Sequence, residues 1–443
     1  VGCVIAEKPW LKRATPISVL VLVVAAVAAG WLWRSPSPGT PSSGSAPTAA
    51  PSLRVITFGM LPYGDHTYAI IGAKQGWFRD VGIDLQYRAI KVEEIVPLLK
   101  NRGLDVVSSP PGILFAAHDN APNLVNFVFG DLFQGYAILG HANRELRSYS
   151  ELRAGGMPPA QALHEVGNQL RGKTLAYPSE AAIKPFIDLV LERGGLQRSD
   201  VRSLVLDDPL TVNAMRKGEA DFQVGGVSSR LVLEREGFKV LLSSIDLARL
   251  ARPSADSKEL ASILQNGWAT TREFYQTRHD DVLRLASVNY RIVQAIKQNP
   301  QAQIDIHMPY LSMVSGQQFT PAEGKVIYDS LDPFVTFDEQ REWFHDKSSP
   351  LYYAYVNGAI LRTFIAQGVF SSQPPDVEKV IFADDVYREL EGLKDKAAAA
   401  LREIESRGAD ALRSPKYIEA KRQFGNFNYL DASRLAAEAL GMQ

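Results

Sequence analysis

Val96-Pro-Leu-Leu-Lys-Asn-Arg-Gly103-Leu-Asp105-Val-Val passes from a helical pattern through glycine and aspartate into a strand, and Val212-Asn-Ala-Met-Arg-Lys-Gly218-Glu-Ala-Asp221-Phe-Gln-Val repeats that order further along the chain. In each unit glycine is placed to close the helix with positive φ, and a buried strand follows at once. Each strand then ends in a small or glycine-rich turn, Ser108-Ser109-Pro110-Pro111-Gly112 in the first and Gly225-Gly226-Val227-Ser228-Ser229 in the second. Open α/β sheets bind ligands beyond the carboxyl ends of their strands, and pockets favour domain interfaces. The pair therefore suggests two α/β lobes with open loops facing each other. Helix–Gly–Asp–strand is also general α/β grammar, so on this pair alone one lobe and two lobes stand equal.

Strand and helix patterns alternate on both sides of these units, which favours an α/β fold over segregated all-α and all-β parts. Strands are expected at Leu53–Met60, Ile83–Ile90, Leu104–Ser108, Leu124–Phe129, Tyr136–Gly140, Lys173–Tyr177, Ser203–Leu206, Asp221–Val224, Lys239–Ser243 and Gly267–Thr271. Helical periodicity fills the gaps at Thr67–Gln75, Val92–Lys100, Ala182–Arg193 and Thr211–Lys217. After Arg272 the pattern is nearly all helical, with an amphipathic stretch at Val282–Gln298 and helices at Pro321–Leu331, Asp338–Phe344 and Tyr353–Gln367. An Ala-, Leu-, Lys- and Glu-rich run at Val386–Arg407 opens a helical tail.

The 443 residues are 46% hydrophobic and 22% charged, the profile of a folded chain. At about 100–200 residues per domain there is room for two or three. A net charge of −1, with no long basic run in the globular part, sets nucleic acid aside as a partner. Cys3 is the single cysteine, which excludes an intramolecular disulfide and a Cys-based zinc site.

Lys8, Lys12 and Arg13 precede the apolar segment Ile17–Trp33. Basic flanks stay cytoplasmic, so the remainder is expected outside the membrane. Ala26-Val27-Ala28 fits a signal-peptide cleavage site, whereas Trp31 and Trp33 suit a membrane interface. The reading taken is an uncleaved transmembrane anchor; secretion after cleavage is its alternative. Ser35–Ser52, rich in Pro, Ser, Gly and Ala, reads as a flexible tether.

Tyr68-Ala-Ile-Ile-Gly-Ala-Lys-Gln-Gly-Trp-Phe-Arg-Asp-Val-Gly-Ile-Asp-Leu85 resembles the early signature of the nitrate/sulfonate/taurine/thiamine-precursor group of ABC-transporter substrate-binding proteins. Gly103-Leu-Asp105-Val, Leu170-Arg-Gly-Lys-Thr-Leu-Ala-Tyr-Pro-Ser179, Gly218-Glu-Ala-Asp221 and Trp268-Ala-Thr-Thr-Arg-Glu-Phe274 are similar to the group's later blocks, in order, over about Leu53–Leu390. The resemblance implies an α/β, two-lobed type II periplasmic-binding-protein (Venus flytrap) fold. Lobe one would comprise 53–134 and 245–375 and lobe two 135–244. Residues 1–16 would be a cytoplasmic N-terminus, 17–33 the anchor or signal, 34–52 the linker and 376–443 the tail. The hinge would lie near Tyr136–Asn143 and Ser243–Leu247.

What the resemblance further implies is a periplasmic or extracellular protein, working as a monomer without a cofactor. It would capture a small polar or anionic solute (an anion, sulfonate, carboxylate or nitrogen heterocycle) and deliver it to an ABC permease. Ligand contacts would come from Tyr63, Asp65 and His66 after the first strand, from Ser108, Ser109 and Pro110, from Tyr136 at the hinge, from Pro178, Ser179 and Glu180, and from Gly225 and Gly226. Ser at a helix N-terminus suits an anion, although Ser109 and Ser179 read equally as plain N-caps. His66, upstream of Gly76-Trp77-Phe78, is similar to the thiamine-pyrimidine binders, with Tyr63 and Tyr68 as stacking faces. Two features depart from that subgroup: Gly225-Gly226-Val227 carries no acidic residue, and the cysteine cluster of the pyrimidine-synthesising relatives is absent. Arg153–Asn168 is longer than the group's usual connection and reads as a surface excursion.

An enzyme needs a nucleophile–base set, a metal cluster or a cofactor loop, and no Gly-x-Gly-x-x-Gly, P-loop, Gly-x-Ser-x-Gly or His-Glu-x-x-His occurs. His279-Asp280-Asp281 opens a helix, where acids suit the dipole. Asp207-Asp208-Pro209 and Asp384-Asp385 read as turn or cap residues. The alternatives are a membrane-anchored sensing ectodomain of the same fold signalling through a partner chain, and pyrimidine-related binding or enzyme activity.

Overall fold

Ten strands pair into two five-stranded sheets of the same design in this computed structural model, which describes residues 53–441. The anchor or signal expected at 17–33, and the segments expected at 1–16 and 34–52, lie outside the described residues. Among the described residues no helix is long and apolar enough to cross a membrane.

The first sheet holds β1 (Arg54–Met60), β2 (Ile83–Ala89), β3 (Val106–Ser109), β4 (Leu124–Phe133) and β10 (Leu264–Thr271), in the order β2-β1-β3-β10-β4. The second holds β5 (Ala137–Gly140), β6 (Thr174–Tyr177), β7 (Arg202–Val205), β8 (Phe222–Gln223) and β9 (Lys239–Ser243), in the order β7-β6-β8-β5-β9. In each, three strands run parallel and the fourth position is antiparallel to both neighbours. That fourth strand, β10 or β5, is the one entered just after the chain crosses from the other sheet. The chain crosses at Gln134–Tyr136 and returns after Ser243. The two crossing segments meet where the Ser244 N–H donates to the Tyr136 carbonyl at 2.8 Å.

Every expected strand forms. β4 runs on to Phe133, beyond the expected Phe129, and all ten of its residues are buried. The expected Thr67–Gln75 helix is instead two short ones, Gly64–Thr67 and Ala69–Lys74. The glycine rule holds at Gly218, with φ +71°, but in the first unit the positive φ (+56°) falls on Arg102. That helix already ends at Lys100, so the left-handed position comes one residue early. Gly103 serves a close approach instead, since a Cβ there would lie 3.1 Å from Leu98 Cδ2.

Trp268 of β10 is fully buried and anchors the first lobe, its ring 5.1 Å from Phe58 and 6.0 Å from Tyr68. Residues beyond 376 are not a loose tail. Ile381 bridges to Asn126 of β4, and the Ala383–Ser406 helix inserts Val386, Tyr387 and Leu390 into the core. Arg284 holds Asp431 with two bonds of 2.9 and 2.7 Å, tying down the Tyr429–Leu440 helix. The long connection at 153–168 ends in a Pro159–Asn168 helix, where Gly167 and Gly194 let it approach the Lys184–Arg193 helix backbone to backbone.

Candidate functional site

The carboxyl ends of strands from both sheets surround one cavity of about 470 Å³. From the first sheet, β1 leads into Pro62 and Tyr63, and β2 into Ile90–Glu94. From the second, β6 leads into Pro178–Glu180, β7 into Leu206–Pro209, and the turn after β8 into Ser228 and Ser229. Val314, Ser315 and Gln317, at the end of the Pro300–Ser315 helix, close one flank.

On the second-sheet side Asp208 organises the wall. Its carboxylate accepts from the Gly226 N–H at 3.1 Å and from Ser229 Oγ at 3.0 Å. The Gln223 side-chain amide in turn donates to Ser229 Oγ at 3.0 Å and to Thr211 Oγ1 at 3.1 Å. Burial raises the Asp208 pKa, and the two hydrogen bonds partly oppose it.

Glu180 is only 9% exposed, and its carboxylate has no hydrogen-bond or ion-pair partner among the described residues. Burial, then the carboxylates of Asp65 and Asp208, push its pKa up to about 8. The Tyr63 hydroxyl is pushed up well above its ordinary value by burial and then by Glu180 and Asp208. Charged lining residues number five carboxylates (Glu93, Glu94, Glu180, Asp207, Asp208) against one ammonium, Lys91.

Of the residues expected at the site, Tyr63, Pro178, Ser179 and Glu180 line this cavity. Gly225 and Gly226 form the turn beside it, and a Cβ on Gly226 would lie 3.3 Å from the Tyr63 ring across the cleft. Asp65 and His66 are buried behind that wall, at 3% and 2% exposure. Asp65 accepts from the Asn266 side chain, and His66 Nε2 lies 3.3 Å from Asp65 Oδ2. Burial raises the Asp65 pKa and lowers that of His66, while each opposes the other's shift.

Ser108 and Ser109 are fully buried. Ser108 Oγ accepts from the Leu61 N–H at 3.1 Å, and Ser109 Oγ donates to the Pro110 carbonyl at 3.2 Å. Pro110 caps the Pro111–Ala116 helix, and Tyr136 lies between Phe133 and Phe186 at the crossing. None of these four lines the cavity. Sequence reasoning passed over Asp208 and the Lys91–Glu94 rim. The signal for Asp208 was there, since Asp207-Asp208-Pro209 directly follows a strand, as Pro178-Ser179-Glu180 does.

Solved structures similar to this chain include three binding proteins. One is the alkanesulfonate-binding protein SsuA from Xanthomonas axonopodis pv. citri bound to MOPS, at 14% identity and a TM-score of 0.54, covering 75% of this chain and 99% of that one. The periplasmic aliphatic sulphonate binding protein SsuA from Escherichia coli follows at 12% and 0.53, covering 74% and 92%. The periplasmic nitrate-binding protein NrtA from Synechocystis PCC 6803 stands at 14% and 0.54, covering 77% and 89%. No protein-family model and no curated protein sequence matches the chain. The resemblance read from the motif series is thus borne out at the level of the fold, which this chain shares with these periplasmic binding proteins.

Proposed function

We propose that this chain is an extracytoplasmic solute-binding protein that captures a small polar solute between its two lobes and delivers it to an ABC permease. The observation that carries the reading is the cavity built jointly by strand ends of both sheets. A ligand touching both walls binds the closed arrangement better than the open one, and that difference is the whole driving force for closure. At about 470 Å³ the cavity lies within the range of small-molecule sites. Several groups already join the lobes: Arg235 pairs with Glu323 at 2.8 Å, Gln367 bonds to Asp188, and Gly112 packs on Ala182.

The lining favours binding over catalysis. Its serines, Ser179, Ser228, Ser229 and Ser315, have no histidine beside them in the wall, so the geometry of an activated nucleophile is lacking. The same reading takes the chain to work as a monomer on the outer side of the cytoplasmic membrane.

Native mass spectrometry of the purified protein, followed by a thermal-shift screen of small solutes, tests the proposal. Retention of a small molecule, or a rise in melting temperature that follows ligand concentration, is the expected result. Turnover of a bound solute without release of the intact molecule would count against it.

A further inference from the structure

We propose that the solute held in this cavity is an organic cation, a protonated amine, amidine or amino-heterocycle with an apolar body, paired to Glu180 and Asp208. The inference rests on the cavity being the solute site. Fold likeness at 12–14% identity to binders of nitrate and sulfonate does not carry the charge of their ligands across.

The charges of the wall decide the class. Of the five lining carboxylates Glu180 and Asp208 are buried, whereas Glu93, Glu94 and Asp207 lie with Lys91 at the exposed rim, where Lys91 stands 3.9 Å from Glu93. An anion entering here would find two buried acidic groups, Glu180 and Asp208, and no cation among the buried lining residues to receive it. Glu180 is nine-tenths buried, unpartnered among the described residues and part of the cavity wall. Such a carboxylate is relieved either by a proton or by an arriving cation with N–H donors.

Asp208 stands on the same wall, fixed by Gly226 and Ser229. Buried Asp65 adds negative potential from behind, opposed by His66, a backbone hydrogen bond and Asn266. Tyr63 offers a ring face that attracts a cation, and Pro62, Ile90, Val92, Leu206 and Val314 give apolar walls for a hydrocarbon body.

Two charge-inverted sets of probes test this by calorimetry on the full chain. One set is benzamidinium, benzamide and benzoate, which share shape and differ in charge; the other is hexylammonium and hexanesulfonate. The expected result is that the two cations bind and the anions do not. Glu180→Gln and Asp208→Asn should each weaken cation binding at least about tenfold, as loss of a charge-assisted bond does. Glu180→Gln is isosteric, and an unliganded melting temperature no lower than that of the parent shows that it folds. A third variant, Val314→Trp, fills the cavity from a position that carries no charge.

Anions that bind as tightly as the cations, and lose binding in Val314→Trp, overturn the cation assignment but leave solute capture standing. Unaltered cation binding in both Glu180→Gln and Asp208→Asn, or no binding by any probe, also overturns it. Binding that survives Val314→Trp overturns the assignment of the cavity itself.

Discussion

Asp105 and Asp221 hold equivalent positions in two different sheets. Asp105 Oδ2 accepts from the Thr57 N–H at 2.8 Å, tying β3 to β1, and Asp221 Oδ2 accepts from the Thr174 N–H at 2.8 Å, tying β8 to β6. The glycine–aspartate repeat in the sequence is therefore a strand clamp used twice. Asp105→Ala and Asp221→Ala should each cost about 1–3 kcal/mol, since each leaves a partly buried backbone donor unmatched. The sites share no partner, so the double variant should show the sum within about 0.5 kcal/mol. Urea midpoints check this, and a negligible loss at both sites would contradict it.

The clamp shows why so much of the fold was legible. Strand positions follow from short apolar runs bounded by glycine and polar residues, and all ten lay in view. The site was legible only in part, because which strand ends meet across a cleft is a tertiary fact. Tyr63, Ser179 and Glu180 follow strands and reach the cavity. Ser108 and Ser109 also end a strand, yet they are consumed in bonds to Leu61 and Pro110. His66 carries the chemistry of a ligand contact, but the short helix at Gly64–Thr67 turns it inward beside Asp65. Val314 lies on a distant helix and Gln317 just past its end, and no local pattern marks them.

Gly225 and Gly226 are adjacent, but substitution should separate folding from closure. A Cβ on Gly225 would overlap Gln223 and Ser229 and lie 2.5 Å from Asp208 Oδ1. Gly225→Ala should therefore destabilise the protein by about 1–3 kcal/mol through overpacking. Gly226 has φ −69°, which any residue adopts; its Cβ would press on the Tyr63 ring of the opposite lobe at 3.3 Å and meet Asp208 Oδ2 of its own lobe only at ordinary contact distance, 3.7 Å. Gly226→Ala should leave the unliganded melting temperature unchanged and weaken solute binding about 3–10-fold by opposing closure. Paired melting and titration curves decide.

Arg235 on the Val227–Arg235 helix and Glu323 on the Pro321–Val326 helix latch the lobes, with side chains 46% and 15% exposed. Exposed pairs are worth at most about 1 kcal/mol. Arg235→Ala should reduce solute affinity no more than about fivefold, chiefly through faster release, and the effect should fade with added salt. Stopped-flow release rates at low and high salt read it directly.

The folded chain keeps the Glu180 proton up to about pH 8, whereas the unfolded chain releases it in the usual carboxylate range. Between those limits the folded state binds more protons, so this contribution to stability is lost as pH rises. Asp65, Asp131, Asp208 and Asp332, all raised by burial, slope the same way. His66 and His307 oppose them, since burial lowers both and stability falls as pH drops below the ordinary histidine range. Glu180→Gln should match the parent near pH 5 and melt progressively higher than it toward pH 9. Facing Glu180 are Tyr63, Asp65, Tyr136 and Asp208, none of them cationic. Benzamidinium affinity should thus rise with pH, by up to about tenfold per unit below pH 8, and Glu180→Gln should remove that slope.

Closure of two lobes around a solute is the centre of the account, and an inter-lobe distance measures it. Spin labels at Lys100→Cys, the last residue of the Ile95–Lys100 helix, and Lys217→Cys, just after the Asp208–Arg216 helix, report from opposite lobes once Cys3 is replaced by serine. With a solute that calorimetry shows to bind, the distance distribution should narrow and shift to the shorter, closed separation, and Val314→Trp should block the shift. An unchanged distribution at saturating solute would contradict capture by closure.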